Sequence, residues 1–224
     1  MFNRKSKTIC FIPARKGSKR IHNKNLKKIN NKTLIEITIN QAIKSRIFSD
    51  IILSSDSDKI LSIGRKLSIT CFKRSKKNSQ NTSTTDSALK EVILKFKKNY
   101  DNIIILQATS PLRKVTTLRK FVQYCISKKL KNCLTVSKIY DNLSHFNKKY
   151  FNSINRIRKI SQNRKPFLFE NGLIYFISKN SFVKNFKIYP KNNWNYFLTN
   201  KYESLDINDM DDLNICKLLS RKYE

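Results

Sequence analysis

The stretch ICFIPARKGSKRIHNKN, residues 9–25, joins a short apolar run to a polar loop that is rich in cations. The apolar run Ile9–Ile12 stops at Pro13. The loop that follows carries five cations around Gly17, namely Arg15, Lys16, Lys19, Arg20 and Lys24. In α/β proteins, loops at the carboxyl ends of parallel strands line the ligand crevice, and their N–H groups and cations bind phosphate oxygens. The stretch predicts a buried strand leading into an anion-binding loop, although an ordinary solvated basic loop has the same composition.

The net charge of the chain points less clearly to a partner. The formal charge is +32, from 47 Lys and Arg residues against 15 Asp and Glu. A charge of that size is typical of nucleic-acid-binding proteins when it is concentrated in one patch. Here the cations are spread over the whole length, which indicates a general composition bias, so nucleic acid is not expected as the main partner. The positive field still favours anionic small substrates such as nucleotides and sugar acids.

Length and hydropathy predict one domain in the cytoplasm. The 224 residues suffice for a single α/β domain. No apolar run approaches the roughly 20 residues of a membrane span, and the basic amino terminus lacks the long apolar region of a signal peptide. The five cysteines have no C-x-x-C spacing, and the two histidines show no metal-binding pattern. We therefore expect reduced thiols and neither a disulfide framework nor a zinc site.

Apolar runs alternate with segments of helical periodicity. The predicted strands are 8–12, 50–53, 69–72, 103–106, 133–136, 173–177 and 204–207. The predicted helices are 34–47, 58–67, 86–96, 114–130 and 210–219. This alternation predicts an α/β fold with a mostly parallel sheet covered by helices on both faces. Residues 73–85 and 186–202 are expected to be loops.

The segment from about residue 140 to 170 interrupts the alternation. It is basic and rich in Asn, with weak periodicity. Its aromatic content argues against disorder, because disordered segments are usually poor in aromatic residues. We expect an inserted arm that packs on a partner subunit or on the substrate, within a single domain spanning residues 1–224.

Three predicted strands besides the first end in polar clusters. The clusters are SSD at 54–56, QATSPLR at 107–113 and SLDIND at 204–209. In a parallel sheet these ends converge on one edge, where cations, an amide and a carboxylate suit a nucleoside triphosphate with Mg²⁺. Each cluster also has a structural interpretation, since Asp56 and Asp206 are both placed to cap the next helix. Neither the P-loop pattern nor G-x-G-x-x-G is present.

Five motifs together resemble one known family. IPARKGSKRIHNKN, SSDSDKI, LQATSPLR, ENGLIYF and SLDIND resemble, in order and separation, the CMP-sialic acid synthetases, or acylneuraminate cytidylyltransferases. That family includes enzymes for neuraminic, legionaminic and pseudaminic acids. The resemblance covers about residues 8–220. It implies a Rossmann-like nucleotide-diphospho-sugar transferase fold, a dimerisation arm at about 140–170 and a homodimer. It further implies that CTP and a nine-carbon 2-keto sugar acid give a CMP-sugar and pyrophosphate, for a surface glycan such as lipopolysaccharide.

The resemblance also implies roles for particular residues. Those expected to bind the nucleotide are Arg15, Ser18, Lys19, Lys24, Asn25, Arg74, Thr82, Ser83, Gln107, Thr109 and Ser110. Those expected to bind the sugar acid are Gln107, Arg164 and Asn171. The expected catalytic residues are Arg15, Lys24 and Asp206, and the expected ligands of Mg²⁺ or Mn²⁺ are Asp206 and Asn208.

The chain departs from the family pattern in two places. Relatives usually have ARGGSKG-I-P, whereas Lys16, Arg20 and His22 stand here at the Gly, Gly and Pro positions. The common DID is DIN here, so Asn208 would offer the metal a neutral oxygen and bind it more weakly. Two alternatives stay open, a nucleotidyltransferase for another sugar and a non-enzymatic protein that binds nucleotides or nucleic acid.

Overall fold

The computed structural model describes residues 7–18, 20–80, 82–141, 143, 165–189 and 194–222. Its strands are β1 (Thr8–Pro13), β2 (Lys28–Ile29), β3 (Lys32–Thr33), β4 (Asp50–Ser55), β5 (Thr70–Lys73), β6 (Asn102–Leu106), β7 (Asn132–Ile139), β8 (Phe167–Ser178) and β9 (Tyr196–Leu198). Its helices are α1 (Leu34–Ser45), α2 (Asp58–Lys66), α3 (Thr85–Lys95), α4 (Val115–Ser127), α5 (Lys179–Asn185) and α6 (Met210–Lys222). None of these helices has the length and hydropathy needed to cross a bilayer.

The main sheet has seven strands in the order β5-β4-β1-β6-β8-β7-β9. β8 pairs antiparallel with β6 and β7, and the other described pairs of this sheet are parallel. β1 lies between β4 and β6, so the chain moves to one side of β1 first and to the other side later. The loop after β1 therefore lies at a topological switch point, where open α/β sheets bind ligands. The predicted α/β fold with a mostly parallel sheet is confirmed.

Alternate residues of β1 supply two cores, one on each face of the sheet. Cys10 and Ile12 pack in the core that includes residues of α1, α2 and α4. Ile9 and Phe11 pack in the core that includes residues of α3 and α5. Successive side chains of a strand point to opposite faces, so a strand that is apolar at every position needs cover on both. This requirement places β1 in the middle of the sheet, with its polar loop at the edge.

The structure corrects several predicted elements. Residues 204–207, predicted as a strand, lie outside the sheet, and Ile207 packs instead with Leu213 of α6 in a small third core. β9 lies within the predicted loop 186–202. The β2–β3 hairpin and α5 have no counterpart among the predicted elements. These elements have two to seven residues each, which is too short for an apolar period to show.

The predicted arm at about 140–170 falls mostly outside the described residues. At its carboxyl-terminal end, Phe167–Glu170 belong to β8 and pair with β7, so the strand begins before the predicted residue 173. Phe167 and Phe169, which contribute to the aromatic content of the segment, are therefore strand residues. The central sheet resumes earlier than the sequence pattern indicates.

Candidate active site

The carboxyl ends of β1, β4, β5 and β6 lie next to one another at one edge of the sheet. The register pairs Pro13 with Ser54 and Ser54 with Phe72, so the first three strands end at nearly the same level. The loops that leave these four ends carry the cationic stretch, the SSD cluster, Arg74 and Gln107. The predicted convergence is confirmed for the ends of β1, β4 and β6, whereas the predicted fourth strand at 204–207 is not part of the sheet.

Two side chains hold the cationic loop through its backbone. Asp56 Oδ1 accepts a hydrogen bond from the Lys16 N–H at 2.7 Å. Asn25 Nδ2 donates to the Arg15 carbonyl at 2.9 Å. The capping role considered for Asp56 is wrong, because Ser57 is the N-cap of α2 and its hydroxyl accepts the capping hydrogen bond. Asp56 instead ties the end of β4 to the loop after β1.

Lys24 connects the cationic loop to the SLDIND segment. Its Nζ donates to the Ile207 carbonyl at 2.7 Å, and the Ile207 N–H donates to the Thr109 carbonyl at 2.8 Å. Burial lowers the pKa of Lys24, whereas the Asp206 carboxylate raises it and Arg20 lowers it. Three motifs that are distant in the sequence therefore meet at Ile207, although the third arrives as a docked segment and not as a strand of the sheet.

Several cations at this edge lie close enough to repel one another. Arg74 is only 7% exposed; its Nε donates to Ser54 Oγ at 3.0 Å, and its Nη2 has no partner among the described residues. Burial lowers the pKa of Arg74 to about 10, Asp56 raises it and Arg15 lowers it. Arg15 also lowers the pKa of Lys24. We call Arg15, Lys24 and Arg74 the cationic cluster. An anion beside it would relieve the repulsion and satisfy the buried donor of Arg74.

The QATSPLR turn presents some of its predicted residues and buries others. Gln107 is half-buried, and its side-chain amide bonds to no residue in the part of the chain that the structure describes. Thr109 is also half-buried. Ser110 is fully buried, and its hydroxyl has no described partner. Gln107 and Thr109 are thus accessible to a nucleotide, whereas the turn would have to move before Ser110 could touch one.

The loop after Arg74 folds back onto α3. Glu91 accepts from the Ser75 N–H at 3.1 Å and from Asn78 Nδ2 at 2.7 Å. Ser83 Oγ donates to the Lys77 carbonyl at 2.9 Å, and Thr82 is exposed. Ser18, in the first loop, is half-buried. The predicted nucleotide contacts Thr82 and Ser83 therefore lie on an anchored loop, while Lys19 and Arg164 fall outside the described residues.

The side-chain amide of Asn171 forms all of its hydrogen bonds within the protein. Its Oδ1 accepts from Thr135 Oγ1 at 2.7 Å and from the Leu173 N–H at 3.2 Å. Its Nδ2 donates to Ser137 Oγ at 2.8 Å and to Thr199 Oγ1 at 2.7 Å. These four bonds fill both acceptor and both donor positions of the amide, and the residue is 4% exposed. Asn171 joins β7, β8 and the segment after β9, a geometry that favours a structural role over direct contact with a sugar acid.

In the SLDIND segment, the residue that caps α6 is not the predicted metal ligand. Asp209 Oδ1 accepts from the Asp212 N–H at 3.0 Å, and Asp212 Oδ2 accepts from the N–H groups of Asn208 at 2.8 Å and Asp209 at 3.2 Å. Asp209 therefore caps α6, and the capping role considered for Asp206 is wrong. Asp206 keeps its carboxylate for other contacts, and the described partner of that carboxylate is Asn208 Nδ2 at 3.1 Å.

Asp206 suits a metal that is bound jointly with a nucleotide. No group of three His, Cys, Asp or Glu side chains is arranged to hold an ion within the described ranges. Mg²⁺, however, is usually held by one or two carboxylates together with substrate phosphates. The Asn208 amide nitrogen faces Asp206, and the amide would have to turn to offer its oxygen to an ion. These residues therefore suit an ion that is bound mainly by nucleotide phosphates and that takes one carboxylate, Asp206, from the protein.

Two residues of the predicted polar clusters that have no predicted ligand role contact the backbone of the site. One is Asp56, described above, whose partner Lys16 is 40 positions away. The other is Arg113, which is 2% exposed and donates to the Gln107 carbonyl at 2.8 Å. Neither contact has a local sequence signal, because an Asp after a strand more often caps a helix and an Arg is usually solvent-exposed.

A cationic loop at the switch point of an α/β sheet is typical of proteins that bind anionic ligands there. The sequence profile of one family, described as cytidylyltransferase, matches residues 9–206. This chain belongs to the cytidylyltransferase family, which confirms the resemblance drawn from its motifs.

Three curated relatives illustrate the match. The chain is 28% identical over 214 residues to an N-acylneuraminate cytidylyltransferase of Streptococcus agalactiae serotype III, covering 92% of this chain and 51% of the relative. It is 28% identical to a pseudaminic acid cytidylyltransferase of Campylobacter jejuni, covering 95% and 96%. It is 29% identical to a CMP-N,N'-diacetyllegionaminic acid synthase of Legionella pneumophila, covering 89% and 90%. The chain thus spans about half the length of the streptococcal relative and nearly all of the other two.

Solved structures share the fold. A CMP:2-keto-3-deoxy-manno-octonic acid synthetase complexed with CTP superposes with a TM-score of 0.74 at 15% identity, covering 98% of this chain and 100% of that chain. A 4-diphosphocytidyl-2C-methyl-D-erythritol synthase superposes with a TM-score of 0.75 at 12% identity, covering 96% and 98%. These likenesses confirm the predicted fold class.

Proposed function

We propose that this protein transfers CMP from CTP to a nine-carbon 2-keto sugar acid of the sialic, legionaminic or pseudaminic type. The observation that carries the proposal is the cationic cluster at the switch point of the sheet, with the Asp206 carboxylate on the segment that Lys24 contacts. Membership of the cytidylyltransferase family supports CTP as the nucleotide. The three curated relatives are named for acids of this class, which supports the acceptor.

The cationic cluster would bind the triphosphate. Arg15 interacts electrostatically with both Lys24 and Arg74, so an oxyanion near Arg15 would be stabilised by all three charges. The Nη2 of Arg74, which has no partner among the described residues, would gain an acceptor. Gln107, whose amide has no described partner, would meet the cytosine or the ribose, and the accessible Thr109 lies beside it.

The reaction is an in-line substitution at the α-phosphorus. The anomeric hydroxyl oxygen of the acid forms a bond to the α-phosphorus, and the bond from that phosphorus to the β-phosphate oxygen breaks. The hydroxyl proton passes to solvent, and pyrophosphate leaves with the electron pair. Such a reaction requires positioning and charge neutralisation more than covalent catalysis. Arg15 and Lys24 would neutralise charge on the phosphates as pyrophosphate departs.

The proposal includes Mg²⁺ or Mn²⁺ as the cofactor. Asp206 would hold the ion together with phosphate oxygens, and Asn208 would assist if its amide turned. When bound, the ion would neutralise charge on the triphosphate. Asp206 is suited to this role because Asp209, not Asp206, caps α6.

A homodimer in the cytoplasm is part of the same proposal. Tyr140 is 52% exposed and Leu168 is 45% exposed, and these residues lie near the two ends of the segment predicted to form the arm. Exposed apolar side chains at both ends of that segment support contact with a second copy of the chain.

The test is a substrate panel. The protein is incubated with Mg²⁺, one of CTP, UTP, GTP or ATP, and one of N-acetylneuraminic, legionaminic or pseudaminic acid, and pyrophosphate is measured. We expect release with CTP and at least one of the acids. A characterised synthetase assayed in parallel controls for the reagents. Pyrophosphate release with another nucleotide but not with CTP would show that the protein is a nucleotidyltransferase of different nucleotide specificity. No release with any acid would refute the proposal.

A further inference from the structure

Arg113, the last residue of QATSPLR, is buried, and its guanidinium contacts three parts of the fold. It is 2% exposed. Its Nε donates to the Leu173 carbonyl at 3.1 Å, its Nη1 to Gln41 Oε1 at 2.8 Å and its Nη2 to the Gln107 carbonyl at 2.8 Å. No described carboxylate lies within ion-pair distance of this guanidinium. The three nitrogens of one planar group therefore bond to three neutral oxygens.

A charge in this position is costly, so packing alone does not account for it. Removing an ion from water without an opposite charge beside it costs free energy, and an apolar side chain would fill the same volume at lower cost. Burial lowers the pKa of Arg113 to about 10, while Cys10 and Asp206 raise it. The group is still charged at neutral pH. The guanidinium does what an apolar side chain does not, since it offers donors in three fixed directions.

Two of the three acceptors are backbone atoms at the candidate site. Gln107 is the first residue after β6, and Leu173 lies in β8. The β6–β8 ladder runs to the pair Leu106 and Ile174. The two carbonyls thus lie just past the end of this ladder, and Arg113 supplies their hydrogen bonds. Arg113 thus bonds to the Gln107 backbone directly after the end of β6.

Gln41 of α1 contacts both Arg113 and the far end of the QATSPLR turn. Its Oε1 accepts from Arg113, and its Nε2 donates to the Pro111 carbonyl at 2.7 Å. Gln41 is itself buried, so its amide is held in one orientation by these two bonds. Arg113 and Gln41 together fix both ends of the turn that carries Gln107, Thr109 and Ser110.

We propose that Arg113, supported by Gln41, is a positioning residue for the reaction. It holds the backbone at Gln107 so that the side-chain amide of Gln107 meets the nucleotide, and it does not touch the substrate. This inference rests on the proposed function, because it assigns Gln107 to CTP.

Arg119 provides a matched control. This arginine of α4 also donates to two backbone carbonyls, those of Ser45 at 2.9 Å and Lys44 at 2.9 Å. Those carbonyls lie at the carboxyl end of α1, and neither of them belongs to a predicted site residue. Arg119 thus makes the same kind of hydrogen bond as Arg113, but to backbone carbonyls at the end of α1 and not to the QATSPLR turn.

The test is a double-mutant cycle between Arg113→Lys and Gln107→Ala. It is measured both as CTP affinity by calorimetry and as kcat/KM for CTP. A displaced active-site group costs up to about a hundredfold, so we expect each single variant to lose about tenfold to a hundredfold. Because both act through the Gln107 side chain, the double variant is expected to be hardly worse than either single variant. Arg119→Lys should keep wild-type CTP affinity, and combining it with Gln107→Ala should leave the loss that Gln107→Ala causes alone.

Wild-type affinity for Arg113→Lys, or losses that multiply in the double variant, would overturn the inference. If Arg113→Lys does not fold, Gln41→Met removes one anchor of the guanidinium, and it should show a smaller loss with the same non-additivity. A wild-type protein that binds CTP but transfers no CMP would refute the proposed function, while the affinity cycle would still decide the role of Arg113. A wild-type protein that does not bind CTP would overturn both.

Discussion

Lys24 Nζ donates a hydrogen bond to the Ile207 carbonyl at 2.7 Å, although the two residues are 183 positions apart in the sequence. Ile207 is held in turn by the Thr109 carbonyl, and its neighbour Asp206 raises the pKa of Lys24. The cation proposed to bind triphosphate and the carboxylate proposed to bind the metal therefore lie on directly bonded segments. A ligand that engages one segment is expected to order the other.

Removing the Lys24 charge should weaken CTP binding. Lys24→Met loses a charged donor and frees the segment around Ile207, so we expect CTP affinity to fall by about tenfold or more. Calorimetry measures the change. Lys28→Met, at an exposed lysine of β2, serves as the control and should leave CTP affinity unchanged. Equal losses in the two variants would show that only net charge matters.

The alkaline limit of CTP binding should depend on Lys24. Burial lowers the pKa of this lysine below its ordinary 10.5, so its ammonium loses the proton at a lower pH than an exposed lysine does. CTP affinity should be highest near neutral pH, where Lys24 is charged, and should fall as the pH rises through the lowered pKa. In Lys24→Arg the fall should shift to higher pH, because the guanidinium keeps its proton. Superimposable pH profiles of wild type and variant would contradict this assignment.

Asp56 should matter through the backbone of the cationic loop. Asp56→Ala removes the acceptor of the Lys16 N–H, and we expect a loss of about 1 kcal/mol in CTP binding, or roughly fivefold. Asp56→Asn keeps an acceptor oxygen and should lose less. Asp58→Ala, which removes an exposed ion pair with Lys73, is the control and should bind CTP like wild type. An Asp56→Ala variant with unchanged affinity would remove Asp56 from the site.

Restoring a second carboxylate should strengthen metal binding. In Asn208→Asp the amide donor to Asp206 is replaced by a like charge, so the metal-free protein should melt at a lower temperature. Addition of Mg²⁺ with CTP should raise the melting temperature by more in this variant than in wild type. Half-maximal activity should be reached at a lower Mg²⁺ concentration. Thermal melts and Mg²⁺ titrations measure these effects. A variant that is destabilised yet gains nothing from Mg²⁺ would place the ion elsewhere.

Gly64 should be required for the packing of α2 on the sheet. A Cβ at this position would lie 2.6 Å from Cys71 Sγ and 2.7 Å from Leu53 Cδ2. Gly64→Ala is therefore expected to lower the free energy of unfolding by about 1–3 kcal/mol, because α2 must move away from β4 and β5. Urea unfolding measures the change, with the exposed Lys66→Ala as control. A Gly64→Ala protein as stable as the control would show that the contact relaxes freely.

The sheet could be predicted because its central strands are apolar runs between amphipathic segments. β1 and β6 are buried on both faces, and this requires an apolar residue at nearly every position. β9, by contrast, has three residues, two of them exposed, and its place in the sheet depends on pairing with β7. Such an element has no period of its own from which it could be recognised.

The candidate site was predictable where its residues are neighbours in the sequence. Arg15 and Lys24 belong to one loop, so a single stretch shows that cations are gathered there. The role of Arg113 depends on acceptors 6, 60 and 72 positions away, which no local pattern shows. A motif match also does not reveal burial, and Ser110 and Asn171 prove to be enclosed.

The most direct test of the proposed activity follows the phosphorus atoms of CTP by ³¹P NMR during incubation with Mg²⁺ and each sugar acid. We expect that, with at least one acid, CTP is converted into equal amounts of pyrophosphate and a CMP-sugar phosphodiester. Neither product should form without the acid, and Arg15→Ala should form both far more slowly. Release of inorganic phosphate, cleavage of CTP that does not depend on the acid, or unchanged CTP with every acid would contradict it.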